Sequence, residues 1–180
     1  NVIDWSNNPE NTNNAFLTDA KLGPYTHRST AIFKCPSDRG IADNGPRNRT
    51  MSMNSLVGDP SVLIDKFNPA YVQFLKSSEL VNPSSIFVFL DEHPDTINDG
   101  FFMNQFDTLK WGNLPGSFHN GAANLSFADG HVEEHRWQVA GPTGTIRPPV
   151  RGALAAGVDV NLPTDFIWMR DHSSVLKQQH

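Results

Sequence analysis

Residues 117–137 read Ser-Phe-His-Asn-Gly-Ala-Ala-Asn-Leu-Ser-Phe-Ala-Asp-Gly-His-Val-Glu-Glu-His-Arg-Trp, and this stretch decides the fold. It contains two short extended runs, residues 123–128 and 131–137, which flank Asp129 and Gly130. An Asp-Gly dipeptide tolerates the positive φ angles of a tight two-residue turn between antiparallel strands. The stretch therefore predicts a β-hairpin with Asp129 and Gly130 at its turn.

The pairing register of this hairpin decides which side chains share a face, because side chains alternate along each strand. A two-residue turn pairs Ala128 with His131 and Asn124 with His135. The face expected to lie against the core then carries Leu125, Phe127, Val132 and, near its edge, Glu134. The opposite face carries Asn124, Ser126, His131, Glu133 and His135. A shift of one residue would exchange the two faces.

Upstream of the hairpin, residues 86–90 read Ile-Phe-Val-Phe-Leu and form the most hydrophobic run of the chain. Such a run of β-branched and aromatic residues predicts a central strand. Further strands are predicted at residues 31–34, 50–57 and 101–106, and a short helix at residues 163–170. The sequence therefore predicts an α+β fold, with a small antiparallel β-sheet, short helices and long loops.

Length and composition restrict the class of protein. A chain of 180 residues suits one globular domain, residues 1–180, and buries roughly 70% of its unfolded surface. A formal charge of −5 without a Lys/Arg-rich run argues against binding to nucleic acid or to an anionic membrane surface. The single cysteine, Cys35, cannot form an internal disulfide and is expected to be a small buried hydrophobe.

A family resemblance begins at His119, which is followed by nine residues and then by Asp129 and Gly130. This spacing resembles the signature of the H-X9-DG domain family, whose members are pseudopilin-like proteins related to type II secretion. The similarity includes Leu-Gly-Pro-Tyr at residues 22–25 and Phe-Lys-Cys-Pro-Ser-Asp at residues 33–38. It also includes residues 87–100, with Asp-Glu-His-Pro-Asp at their centre, and Ala-Asp-Gly-His at residues 128–131.

Members of this family usually carry a prepilin-type N-terminal helix that packs on the sheet of a globular head. The resemblance implies that this chain is a pseudopilin-like head without that helix, a fragment or mature product with an exposed apolar groove. It implies a non-catalytic structural subunit of a type II secretion or type IV pilus-like assembly, with other pilin-like subunits as partners. The implied location is the periplasmic or extracellular side of a bacterial inner membrane, or the cell surface, with membrane contact only through the missing helix.

An acidic segment, residues 91–100, offers the oxygen donors that a hard cation such as calcium binds. The candidate calcium ligands are Asp91, Glu92, Asp95, Asn98 and Asp99. Major pseudopilins bind calcium in a C-terminal loop, so the resemblance implies a comparable site. The alternative is that these side chains shape turns by accepting hydrogen bonds from nearby backbone amides.

Histidines and carboxylates near the hairpin offer a second metal hypothesis, because imidazole and carboxylate suit zinc or another borderline ion. The candidate transition-metal ligands are His93, His119, His131, Glu133 and His135. A metal-dependent hydrolase would use the region of His119, His131, Glu133 and Asp91. The other interpretations are acid–base catalysis by a His–carboxylate pair and purely structural histidines.

The two signature residues also suggest a structural hypothesis, in which His119 donates to Asp129 or to carbonyls beside the turn. A separate hypothesis concerns aromatic side chains, since flat rings can form a sugar-stacking platform. The candidates for this platform are Trp5, Tyr25, Tyr71, Trp111 and Trp137. An exposed, coplanar arrangement would indicate a carbohydrate-binding module, whereas burial would make these rings core anchors.

Overall fold

The computed structural model describes residues 3–59, 66–138, 146, 151, 158–159 and 163–178. The α-helices are α1 (Ala15–Thr18) and α2 (Pro163–Asp171). Short 3-10 turns span Pro9–Asn11, Gly23–Thr26, Ala31–Phe33, Ser77–Glu79 and Pro83–Ser85. The strands are β1 (Ile41–Ala42), β2 (Gly45–Pro46), β3 (Met51–Asn54), β4 (Phe87–Asp91), β5 (Phe101–Phe102), β6 (Lys110–Trp111), β7 (Ala122–Phe127), β8 (Val132–Arg136) and β9 (Val158–Asp159).

The main sheet has five strands in the order β5-β3-β4-β7-β8. Neighbouring strands are antiparallel except β3 and β5, which run parallel. Strand β4 lies at the centre, as its hydrophobic run predicts, and β1-β2 and β6-β9 form two small antiparallel sheets. The predicted α+β class, with small sheets and few helices, is therefore confirmed, and the parallel pair is an addition to the antiparallel prediction.

The predicted hairpin forms, but its predicted register is wrong by one residue. Ser126 lies opposite Val132, and Ala123 lies opposite His135. The backbone N–H of Phe127 donates to the carbonyl of His131, so the loop has three residues rather than two. Gly130, with a φ of 95°, takes the left-handed position that closes such a loop.

This register turns His135 of β8, and His131 just before it, toward the core side of the sheet. The imidazole of His131 stacks on Phe127 with ring centroids 4.4 Å apart, and that of His135 stacks on Trp168 at 3.7 Å. Val132, predicted to be a core residue, is 68% exposed on the opposite side. The faces of β8 are thus exchanged relative to the prediction.

The core lies on one face of the main sheet, beneath helix α2. Leu90 of β4 pairs with Leu125 of β7, and both side chains are fully buried. Phe166 of α2 packs edge-on against the buried ring of Trp111, with centroids 5.0 Å apart. Helix α2 occupies the predicted range and supplies the apolar layer that covers this face.

Three predicted strands are shorter or absent: β3 covers only Met51–Asn54 of residues 50–57, and in the other two side chains replace the ladder hydrogen bonds. Within residues 31–34, Ala31–Phe33 form a 3-10 turn, and the backbone N–H of Cys35 then donates to Thr50 Oγ1. Strand β5 ends at Phe102, since the next amide, that of Met103, donates to the Asn113 side chain. These two strand predictions were wrong in extent for that reason.

Candidate functional site

The outward face of the main sheet carries a row of apolar side chains. Met53 lies opposite Phe89 on the neighbouring strand and opposite Phe101 on the other. Because side chains alternate, Phe89 points away from the core while the adjacent Leu90 points into it. The outward side chains are only half-buried, so this face remains open to solvent over part of its area.

Two adjoining depressions of about 280 and 270 Å³ lie on this face. They share four lining residues, Leu22, Phe33, Met51 and Phe89, which together define the apolar groove. The floor comes from strands β3 and β4, and one wall comes from the segment that contains Phe33. Long apolar side chains from distant parts of the sequence therefore form one continuous surface.

A cluster of potential metal ligands lies on the same outward face, beyond one end of the groove. Its members are Cys35, Asp91 and His119, whose ligand atoms all lie within 4.8 Å of one another. The Sγ of Cys35 is 3.4 Å from Nε2 of His119, and Oδ2 of Asp91 is 3.9 Å from the same nitrogen. The amide nitrogen of Asn124 is 3.1 Å from that Nε2.

Hydrogen bonds fix the positions of the cluster residues. The Oγ1 of Thr50 accepts from the amide of Cys35 at 2.8 Å and donates to Oδ1 of Asp91 at 3.1 Å. His119 exchanges backbone hydrogen bonds with Ala122 across a tight turn. Asn120 and Gly121, the two residues inside that turn, both have positive φ, a conformation that an Asn-Gly pair readily adopts.

The electrostatics of the cluster oppose nucleophilic catalysis by Cys35. Burial raises the pKa of the Cys35 thiol. Burial also raises the pKa of Asp91, and the hydrogen bond from Thr50 offsets part of that rise. A catalytic Cys–His–Asp relay needs its acid and its thiol at opposite nitrogens of the imidazole. Here both groups face the same nitrogen, so the arrangement suits a ligand set rather than a relay.

Four of the proposed calcium ligands each accept a hydrogen bond from a different protein group. Glu92 Oε1 accepts from Asn113 at 2.7 Å, and burial raises the pKa of Glu92 to about 8. Asp95 Oδ1 accepts from the indole N–H of Trp5, and Asp99 Oδ1 accepts from the amide of Phe101. Asn98 Oδ1 accepts from the amide that follows it. The calcium hypothesis stays a prediction, and Asp91 is the one proposed ligand that joins the cluster.

The five histidine-region candidates do not form one site. His119 belongs to the cluster, whereas His93 is buried and its Nδ1 accepts from the amide of Asp95 at 3.2 Å. On β8, His135 Nδ1 lies 3.8 Å from Glu133 Oε1, and both belong to the opposite face from His119. His131 bonds to Asp129, outside this pair.

The proposed contact between His119 and Asp129 is wrong. Asp129 Oδ1 accepts from the amide of His131 at 3.1 Å and lies 2.6 Å from Nδ1 of that side chain. The two signature residues flank opposite ends of β7, and a strand of six residues spans about 20 Å. Sequence reasoning also missed Cys35 as a partner of His119, although residues 33–38 belong to the family resemblance.

The aromatic candidates for a sugar platform do not form one exposed surface, since Tyr25 is 84% exposed while Trp5 and Tyr71 are partly buried and the other two are buried. Trp111 and Trp137 are 1% and 3% exposed, and the ring of Tyr71 packs edge-on against Phe106. Trp5 instead lies 4.2 Å from the guanidinium of Arg47. These contacts make the tryptophans anchors of the core and of the N-terminal segment.

Comparison with protein-family models, with curated proteins and with solved structures gives no match to this chain. Among the described residues, no helix has the length and apolar composition needed to cross a bilayer.

Proposed function

We propose that this protein is a non-catalytic, pseudopilin-like subunit of a type II secretion or type IV pilus-like assembly, in which an apolar helix covers the groove. One observation carries the proposal, namely the apolar row Met51, Met53, Phe89 and Phe101 on the outward face of the main sheet. An antiparallel sheet with one face in water normally carries polar side chains there.

The form of the groove supports a helical occupant. Its two halves adjoin at Met51 of β3 and Phe89 of β4, and the exposed side chains of Ile32 and Phe16 each line one half. A helix that packs on a sheet needs an apolar strip of this kind, because its own apolar side chains must leave water. The proposed partners are other pilin-like subunits, which supply equivalent helices.

The proposed location follows from this role. A pilin-like subunit works at the periplasmic or extracellular side of a bacterial inner membrane, or at the cell surface. The surface charge agrees with a protein partner, since a chain of net charge −5 without a basic run lacks the cations that nucleic acid requires. Contact with a membrane would then come through an apolar helix rather than through this surface.

The test uses the chain and a synthetic apolar α-helical peptide of about 20 residues, the length of a membrane-spanning segment. The peptide carries a fluorophore and is presented in a mild detergent, and binding is followed by fluorescence anisotropy. We expect saturable binding that Met53→Lys weakens at least about tenfold, because a charge buried without a partner is costly.

The matched control is Val81→Lys, which adds the same charge at a side chain that is 86% exposed and outside the groove. This variant should bind the peptide like the unmodified chain. Thermal unfolding of both variants separates loss of binding from loss of structure. Equal binding by Met53→Lys and Val81→Lys, or a dimer of the chain that Met53→Lys alone dissociates, would contradict the proposal.

A further inference from the structure

We propose that Cys35, Asp91 and His119 bind a divalent transition-metal ion of the zinc class. This inference does not depend on the assembly function proposed above. It also differs from both metal hypotheses based on the sequence, because Cys35 belongs to neither ligand set.

The distances suit tetrahedral coordination. Zinc binds thiolate sulfur at about 2.3 Å and imidazole nitrogen or carboxylate oxygen at about 2.0–2.2 Å, which places ligand atoms roughly 3.3–3.8 Å apart. The Cys35 Sγ to His119 Nε2 distance is 3.4 Å, and the His119 Nε2 to Asp91 Oδ2 distance is 3.9 Å. All three ligand atoms lie within 4.8 Å of one another, so the widest separation must close by about 1 Å for one ion to bind all three.

Hydrogen bonding alone does not account for the convergence on one nitrogen. An imidazole nitrogen has one direction in its ring plane for a strong bond, as either donor or acceptor. Three polar side chains, from Cys35, Asp91 and Asn124, nevertheless face Nε2 of His119. A cation among them would use lone pairs of Cys35, Asp91 and His119 at the same time.

The supporting contacts resemble the outer shell of a metal centre. Thr50 donates to Oδ1 of Asp91, which leaves Oδ2 directed at His119. The same hydroxyl oxygen accepts from the amide of Cys35, so one side chain positions two ligands. Outer-shell bonds of this type orient ligands in metalloproteins before the ion arrives.

The donor set selects the type of ion. A thiolate with an imidazole and a single carboxylate favours zinc and similar borderline ions, whereas calcium and magnesium require mainly oxygen ligands. The side chain of His119 is 25% exposed and that of Asp91 is 5% exposed, so an ion has a route from solvent. The fourth ligand would be water or the amide oxygen of Asn124. The amide group of Asn124 would then turn its oxygen, rather than its nitrogen, toward the ion.

An ion at this position would join three distant segments of the chain. Cys35 follows the 3-10 turn that forms a wall of the apolar groove, Asp91 ends β4, and His119 precedes β7. Ligands 84 residues apart in sequence would then be held together. Metal binding that requires the folded arrangement also stabilises it, so the melting temperature should rise with added ion.

The test starts from protein prepared without a histidine tag and dialysed against a chelator. Zinc is titrated in competition with a chromophoric chelator, and cobalt is added separately for absorption spectroscopy. We expect one zinc ion per chain, a higher melting temperature with zinc, and a cobalt spectrum with a thiolate charge-transfer band. Absence of stoichiometric binding, or of the thiolate band, would overturn the proposal.

Cys35→Ala and His119→Gln should each lower zinc affinity by at least about 100-fold, the upper range for loss of an outer-shell partner. The control is His131→Gln, which removes an imidazole that bonds to Asp129 outside the cluster and should leave affinity unchanged. Equal zinc affinity in Cys35→Ala and the unmodified chain would overturn the proposal. If a variant fails to fold, the cobalt spectrum of the unmodified chain still decides the outcome.

Discussion

Glu92 is a carboxyl group that the fold places entirely out of water. Burial raises its pKa from 4.5 to about 8, against hydrogen bonds from Ser52 and Asn113 and the positive charge of Arg49. Between about pH 4.5 and pH 8, the folded state therefore keeps the Glu92 carboxyl protonated, whereas the unfolded state has released this proton. The contribution of Glu92 to stability is greatest below this window and decreases as the pH rises through it.

Glu92→Gln should remove this part of the pH dependence, because the amide oxygen can still accept from Asn113 while the titrating proton is gone. Relative to the unmodified chain, the variant should gain stability as the pH rises from 5 to 9. Melting temperatures of both proteins across this range provide the measurement. A constant difference between the two curves would show that Glu92 does not titrate in this window.

The cluster illustrates which site residues the sequence could identify. His119 and Asp91 were both candidates, since the resemblance and the acidic segment include them. The sequence predicts Cys35 to be a buried hydrophobe, and it is buried, but its sulfur also lies against His119. Such a contact depends on the packing of two loops and has no local pattern that a sequence reading could detect.

At the scale of single elements, the presence of the hairpin could be predicted from composition, but the length of its loop could not. The turn residues Asp129 and Gly130 predict the hairpin, and the hairpin is present. They do not distinguish a two-residue from a three-residue loop, since both place glycine at a positive φ. That choice moves every side chain of β8 to the other face, so the predicted histidine face was wrong.

Gly130→Ala should destabilise the protein by about 1–2 kcal/mol, the cost of a left-handed conformation for a residue with a Cβ. The added methyl group would meet no atom within 4 Å, so the effect should be conformational alone. Gly100→Ala is the matched control, because its Cβ also meets open space and its φ is not in the left-handed range. Chemical denaturation should show a loss for Gly130→Ala only.

At the scale of the whole molecule, the sheet separates two apolar regions with different surroundings. One is the core beneath α2, where Phe166 is 1% exposed and contacts Trp111 and Phe106. The other is the apolar groove on the outward face. The central strand and α2 could be predicted because their patterns are local, whereas the groove arises from N-terminal turns that the sequence does not place.

Phe166→Ala should cost about 3–5 kcal/mol, the range for removing a buried aromatic ring. Ile167→Ala, one position along the same helix, should cost much less because that side chain is largely outside the core. The free energy of unfolding from denaturant titration compares the two. Similar losses would mean that α2 contributes through its backbone rather than through the ring of Phe166.

The edges of the main sheet set a limit on how this protein can associate. Strand β8 lies at one edge and reads Val-Glu-Glu-His-Arg, while the opposite edge strand, β5, has two residues. Short or charge-bearing edge strands discourage the addition of a strand from another molecule. Amyloid-like growth is thereby opposed at both ends of the sheet, and ordered contacts with other molecules are left to its faces and loops.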